Sequence, residues 1–272
     1  MSKVWQDLGK RPLVVASLSG GERLVDSARR AAGLGADLLE IRVDSLKPKE
    51  RANIGKILEA IKESCSLPII STVRSAAEQD PASKTAPLED RERKILFEDA
   101  LSLVDAIDVE IESDSLAQDA VRIAKKSGKK IILSYHDFKG IPSADKLAKL
   151  EESFRALGGD IFKIAGMAKE PGDVLKMLGA AREANGFPRV TIAMGDHGRI
   201  SRVTGFLYGS ALTYGYMNKP TAPGQLSVRE LVDLCALFYP SYRRKARHSR
   251  AREANSRSEF SEGLTKRSGN LV

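Results

Sequence analysis

The sequence predicts a (βα)8 barrel. Three observations carry that reading. Eight short aliphatic or β-branched runs recur along the chain: Leu13–Leu18, Leu38–Val43, Pro68–Val73, Ala106–Ile111, Lys130–Ser134, Asp160–Ala165, Arg189–Met194 and Phe206–Tyr208. Their lengths suit parallel strands buried on both faces. Segments with helical periodicity lie between them, and strict alternation of strand and helix over residues 1–240 fits a barrel. A doubly wound sheet usually carries a glycine-rich phosphate turn after its first strand. Here that turn reads Ser17-Leu18-Ser19-Gly20-Gly21, which is not G-x-G-x-x-G.

The helical segments follow in order. Leu24, Ala28, Ala31 and Ala32 recur at i, i+4, i+7 and i+8, and Leu96, Ala100, Leu103 and Val104 repeat that spacing. Ala117, Ala120, Val121 and Ala124 form a third apolar stripe, and Leu147, Leu150, Phe154 and Leu157 a fourth. Ser143 after Pro142 marks one helix start, and Ser227-Val-Arg-Glu230 reads as a capping box for another.

Composition narrows the function class. The chain has 272 residues, 42% of them hydrophobic, so a sizeable core is available and global disorder is excluded. Its formal charge is +8, yet residues 241–272 carry nine Lys/Arg against three Asp/Glu and so hold +6 of it. The body is nearly neutral, which argues against a nucleic-acid partner. The arm itself is Arg/Ser-rich and poor in apolar residues, and reads as a flexible basic tail dispensable for catalysis. Cys65 and Cys235 have no metal-type spacing and read as reduced core thiols. No stretch reaches membrane length and the first residues lack a signal core, so a soluble cytoplasmic protein is expected.

In such a barrel, chemistry gathers at the carboxyl ends of the strands. Strand two ends Glu40-Ile-Arg42-Val-Asp44, and period-two alternation puts Glu40 and Arg42 on one face. Strand three ends Thr72-Val-Arg74 with Glu78 following, strand four Asp108-Val-Glu110, and strand five Ser134-Tyr-His136-Asp-Phe138. Strand six places Lys163 among Ile161, Phe162, Ile164 and Ala165, and strand seven ends at Met194-Gly195, with Ser201-Arg202 close behind. A lone Glu/Arg pair at a strand end is more often a structural ion pair. A lysine inside an apolar strand run either pairs with a carboxylate or is a desolvated amine fit to attack a carbonyl. Five successive strand ends with ionisable side chains are costly to bury unless they pair or act. Arg42, Arg74 and Arg202 suit an anionic or polyhydroxylated small molecule.

These segments, with Ala222-Pro-Gly-Gln225, stand in the order and spacing of the type I 3-dehydroquinate dehydratases, and the chain resembles that family over residues 12–240. The resemblance implies a lyase that dehydrates 3-dehydroquinate to 3-dehydroshikimate in aromatic amino-acid biosynthesis. It implies an imine on Lys163, proton transfer by His136, and Glu78 orienting that ring. Arg202 would hold the substrate carboxylate, while Glu40, Arg42 and Arg74 hold hydroxyls and order the mouth. Met194 and Tyr214 would line the ring pocket, Gln225 would belong to a lid after strand eight, and Ser17 and Thr221 would complete the binding set. Neither a metal nor an organic cofactor is implied, and a homodimer is. The roles of Asp108 and Glu110 stay open. Tyr214 stands where phenylalanine is common, Thr221 where serine is common and Ile192 where some members carry methionine; the Gly195-Asp-His197-Gly198 loop also differs from several relatives. A class I aldolase on the same barrel is the nearest alternative, and a polyanion-binding protein acting through residues 243–252 a more distant one.

Overall fold

The computed structural model describes residues 3–21, 23–83, 85–182 and 186–242. Eight strands follow one another: β1 (Leu13–Leu18), β2 (Leu38–Arg42), β3 (Ile69–Thr72), β4 (Ala106–Glu110), β5 (Lys130–Asp137), β6 (Ile161–Met167), β7 (Arg189–Met194) and β8 (Leu212–Tyr216). Every ladder is parallel, and the strand order β7-β6-β5-β4-β3-β2-β1-β8 curls the sheet nearly closed. The β7–β8 seam has only a single parallel bridge, Arg189 to Ser210. The Ala211 N–H donates to the Arg189 carbonyl there at 2.7 Å, and the Ser210 hydroxyl accepts the Thr191 N–H at 3.1 Å. The architecture is the (βα)8 barrel that the strand count predicts.

The outer layer comprises α1 (Leu24–Leu34), α2 (Ile54–Ser64), α3 (Asp90–Leu101), α4 (Asp114–Lys126), α5 (Ala144–Leu157), α6 (Pro171–Arg182) and α7 (Val228–Phe238). Their apolar stripes explain their seating. α1 buries Leu24, Ala28 and Ala31, and α4 buries Ala117, Ala120, Val121 and Ala124. Ser143 accepts the Lys146 N–H and starts α5, and Ser227 with Glu230 forms the capping box of α7. Such a cap contributes about 1 kcal/mol.

One predicted strand is corrected. Phe206–Tyr208 belongs to a 3-10 turn, Gly205–Tyr208, stopped by Gly209 at φ 103°. Leu207 and Tyr208 point outward, at 71% and 37% exposure, so this run cannot be a buried strand. The eighth strand lies just beyond, at Leu212-Thr-Tyr-Gly-Tyr216, where threonine and glycine interrupt the apolar signal. Between β7 and β8 the chain makes only short turns, Gly195–Gly198, Ser201–Thr204 and Gly205–Tyr208. Strands five and six run three and two residues past their predicted ends, so His136 lies within β5 rather than after it.

Two separate cores result. One fills the space between strands and helices, with Val14, Ile41, Ile107 and Leu133 facing out from the barrel. The other fills the barrel itself: Leu13, Val15, Leu38, Ile70, Ala106, Ile132, Ile161 and Leu212 form an apolar floor. Two residues further along the same strands the inward positions turn polar: Ser17, Glu40, Thr72, Asp108, Ser134 and Lys163, all buried. That switch converts a packed barrel into a barrel with a reactive mouth.

The expected flexible tail lies outside the described residues from 243 onward. Tyr242 does not behave as tail. It is fully buried, and its hydroxyl donates to the Gly35 carbonyl at 2.8 Å, pinning the chain against the end of α1. We expect Tyr242→Ala to cost about 3–5 kcal/mol, as for other buried aromatics truncated to alanine. Tyr242→Phe keeps the buried ring and loses only the hydroxyl's hydrogen bonding, so it should cost less, about 1–2 kcal/mol. Chemical denaturation midpoints measure both, and an alanine variant as stable as the parent would remove Tyr242 from the folded barrel.

Candidate active site

All twelve residues singled out from the sequence line one cavity at the carboxyl end of the barrel. Its lining sets a few convergent polar and charged groups among apolar walls, the pattern of small-molecule sites. β1 contributes Ser17, β2 Glu40 and Arg42, β5 His136, β6 Lys163, β7 Met194 and β8 Tyr214. Arg74 follows β3, Glu78 lies in a 3-10 turn (Ala76–Glu78), Arg202 in the turn after β7, and Thr221 and Gln225 in the loop after β8. Phe138 and Ala165 also line it; Ala165 lies two residues beyond Lys163 on β6, where alternation alone could have found it, and Phe138 two beyond His136, just past the end of β5. Gln79 and Asp80, which join the lining from the loop after β3, carry no such signal.

Lys163 is 4% exposed, and its Nζ donates to Asp108 Oδ2 at 2.7 Å. Glu40 Oε1 is farther, at 3.8 Å, and the Tyr214 ring centre lies 4.1 Å from Nζ. Glu40 is held elsewhere: its two oxygens accept the hydroxyls of Ser17 at 2.6 Å and Thr72 at 2.9 Å. The burial of Tyr214, beside Glu40 and Asp108, raises its phenol well above the ordinary value, so it remains neutral.

Arg74 organises the neighbouring wall. Its guanidinium donates to Asp108 Oδ1 at 2.9 Å, Glu110 Oε1 at 2.7 Å and Ser134 Oγ at 2.8 Å. Glu110 is shared with Arg93 of α3, whose Nε also holds the Val73 carbonyl at 2.9 Å. Burial works to raise the Asp108 pKa, but Arg74 and Lys163 outweigh it and hold the carboxyl well below the usual range. Glu110 is likewise held down by Arg74 and Arg93 against its burial. Arg42 is already paired, forking onto Asp44 at 3.0 and 2.8 Å.

His136 meets Glu78 twice. Glu78 Oε2 accepts the His136 backbone N–H at 2.8 Å and lies 2.9 Å from Nδ1. An oxygen accepting both contacts puts the ring proton on Nδ1 and leaves Nε2 as a base. Burial, with Arg74 and Lys163 nearby, lowers the His136 pKa well below its ordinary value. Burial pushes the Glu78 carboxyl up to about 8, against the pull of Arg74. The pair therefore gathers its shared proton on the carboxyl side and keeps the imidazole neutral.

Arg202 differs from the other arginines. It is 4% exposed, and among the described residues no carboxylate lies in ion-pair reach of it. Its guanidinium touches only carbonyls: Gly224 at 3.1 Å, Pro223 at 3.3 Å and Tyr214 at 3.4 Å. Burial, then Arg199, lowers its pKa to about 10, so it remains a cation without a counter-charge. The loop it holds packs backbone to backbone on Gly195, whose N–H donates to the Pro223 carbonyl at 3.2 Å. Gly224, at φ +68°, has no room for a Cβ, which would fall 2.1 Å from the Gly195 oxygen. Gln225 Oε1 accepts Thr221 N–H and Oγ1 at 2.7 and 3.0 Å and braces the same loop from within. No group of three or more His, Cys, Asp or Glu among the described residues is arranged as a metal site.

Comparison with known proteins places this geometry. The model of the type I 3-dehydroquinase family matches residues 13–241. A 3-dehydroquinate dehydratase of Methanococcoides burtonii is 36% identical over 226 residues, 83% of this chain and 94% of that protein. The crystal structure of the 3-dehydroquinate dehydratase of Geobacillus kaustophilus superposes with a TM-score of 0.77 at 28% identity, covering 84% of this chain and 91% of that one. The type I enzyme of Clostridium difficile, crystallised with covalently modified comenic acid, gives 0.76 at 29% identity, covering 85% of this chain and 93% of that one. The chain belongs to the type I 3-dehydroquinase family.

Proposed function

We propose that Lys163 carries the reaction as an imine, that His136 moves the protons and that Arg202 holds the substrate carboxylate. The chain is a 3-dehydroquinate dehydratase, a hydro-lyase of the shikimate pathway. The observation that carries the residue assignment is Lys163 itself, a buried amine in the same cavity as the His136–Glu78 pair.

A β-hydroxy ketone loses water only after its α proton leaves. An iminium on Lys163 supplies an electron sink, and Nε2 of neutral His136 takes the proton. The enamine then expels the β hydroxyl, and the imidazolium returns the proton to the departing water. General acid–base help of this kind contributes about 10²–10⁴-fold, and the covalent step divides one hard reaction into two easier ones. Glu78 orients the ring and carries the shared proton. Arg202, a buried cation whose guanidinium contacts carbonyls, supplies the counter-charge for a substrate carboxylate. Glu40, Arg42, Arg74, Ser17, Thr221 and Gln225 offer hydrogen bonds to hydroxyls, and Met194 and Tyr214 wall the ring.

The family likeness supports a homodimer in the cytoplasm. Exposed Leu207, Leu237 and Phe238 give it apolar surface to bury. Both cysteines are free thiols, and no described helix is long and apolar enough to cross a membrane. We also propose that the catalytic barrel ends after Tyr242 and that the residues beyond are dispensable for turnover.

Borohydride reduction in the presence of 3-dehydroquinate should add one ligand mass to the peptide containing Lys163; an active enzyme labelled elsewhere would overturn the assignment. Arg202→Ala should lose about 2–5 kcal/mol of transition-state binding, read from kcat/KM, as when one member of a buried charge pair is removed. His136→Ala should still form the adduct, visible by intact mass, while dehydration stops. Nε2 is a base only while the imidazole is neutral, so competence is present above the His136 pKa, itself below the ordinary value, and is lost as pH falls through it. With the shared proton on its carboxyl, Glu78 is uncharged across that limb. Glu78→Gln is uncharged too, so the acid limb of kcat/KM should stay in place with a reduced plateau; a limb moved to lower pH would show that Glu78 is ionised there and does not carry the proton.

A further inference from the structure

The roles above leave one buried carboxylate at the reacting nitrogen unexplained. Asp108 lies on β4 with no exposed surface. Its Oδ1 is fully engaged by Arg74 Nη2 at 2.9 Å and Ser134 Oγ at 2.6 Å, so the carboxylate plane cannot swing away. Only Oδ2 is left for Lys163 Nζ, at 2.7 Å. We propose that Asp108 is the counter-ion of the Lys163 imine and the group that takes the lysine proton before attack. This rests on Lys163 being the imine residue.

Charge bookkeeping supports the assignment. Before reaction the pair is an ammonium and a carboxylate. A proton passes from Nζ to Oδ2, leaving a neutral amine and a carboxylic acid. The amine lone pair forms the C–N bond, the C=O π pair moves onto oxygen, and one N–H proton transfers to that oxygen to give a neutral carbinolamine. The acid then returns its proton to the hydroxyl as the C–O bond breaks. Water leaves, and the nitrogen lone pair forms a C=N bond bearing one positive charge, once more beside a carboxylate. Nζ is a cation at both ends of the sequence, and the proton is lent and returned. A fixed anion at 2.7 Å suits both states, and no net charge is created in the buried mouth.

Other groups facing Lys163 fit this role less well. Glu40, from β2, lies at 3.8 Å with both oxygens occupied by Ser17 and Thr72. Glu78 is committed to His136. Tyr214, from β8, presents its ring face to Nζ, which favours a cation there but accepts no proton. Arg74, from beyond β3, and His136, from β5, face Asp108 together with Lys163. Arg74 keeps the carboxylate ionised when the proton is returned, which prevents Asp108 from retaining it.

The iminium is an electron sink only while protonated. Without its counter-ion it loses that proton at a lower pH. In Asp108→Asn, kcat should fall about 100-fold or more, within the range of acid–base help, with KM little changed, and the alkaline limb of kcat should move to lower pH. Asp108→Glu, which keeps the charge, should recover part of kcat and restore the limb. A purely structural carboxylate would lower the yield of folded protein without moving the limb. An Asp108→Asn enzyme with the parent's kcat and limb, or one with only KM raised, overturns the proposal. Should that variant not fold, the parent enzyme still decides: with 3-dehydroquinate carrying 13C at its carbonyl, the imine carbon should resonate as a protonated iminium throughout the pH range of full kcat. A neutral imine signal within that range overturns it. Borohydride mapping of the same adduct separates the two readings. Label on another lysine defeats the Lys163 assignment, whereas label on Lys163 with an unmoved limb defeats only the role of Asp108.

Discussion

Arg74 is the fixed point of the barrel mouth. One planar guanidinium, buried after β3, is bonded simultaneously to carboxylates on β4 and to a hydroxyl on β5. Removing either carboxylate would leave uncompensated charge in a buried site, which is strongly destabilising. Through Asp108 the arginine sets the position of the Lys163 amine, and through Glu110 it reaches Arg93 and fastens α3 to the strands. The electrostatics of the mouth follow from that arrangement. Carboxylates near Arg74 stay ionised, while Glu78, more loosely coupled to it and strongly desolvated, does not follow them.

The apolar floor is the other half of the same constraint. Residues such as Ile70, Ala106, Ile132 and Ile161 fill the lower barrel and exclude water from beneath the charged layer. The polar residues two positions higher therefore lie on a rigid, low-dielectric base. Their interactions are worth more there than at a surface, and their misplacement is penalised more.

Most of this was legible in the sequence, for a simple reason. Inward positions on a buried strand recur every second residue, so Glu40 with Arg42, and Asp108 with Glu110, announce themselves as polar residues where an apolar run should continue. Lys163 stood out for the same reason. What alternation cannot supply is which strand faces which at what stagger. The register pairs Lys163 with Ser134 and Ser134 with Glu110, and only that offset brings Asp108 Oδ2 to Nζ. The eighth strand was missed because Leu-Thr-Tyr-Gly-Tyr is a weak apolar signal beside Phe-Leu-Tyr, which the chain instead spends on a turn. Tyr242 was hidden by its arginine-rich surroundings, where composition outweighed a single aromatic anchor.

The thin seam between β7 and β8 has a dynamic consequence. A barrel opens first where its ladder carries fewest backbone bonds, and here that is one bridge beside Ser210. Arg202 and the loop after β8 span the upper end of the same gap, with the guanidinium in the turn after β7 and its acceptors on the β8 side. A carboxylate seated on Arg202 would draw these two margins together. Ligand would then act as the missing rung of the ladder, slowing amide hydrogen exchange along β7 and β8 more than elsewhere in the sheet. The weakest join in the cylinder would thus be the one that occupancy repairs.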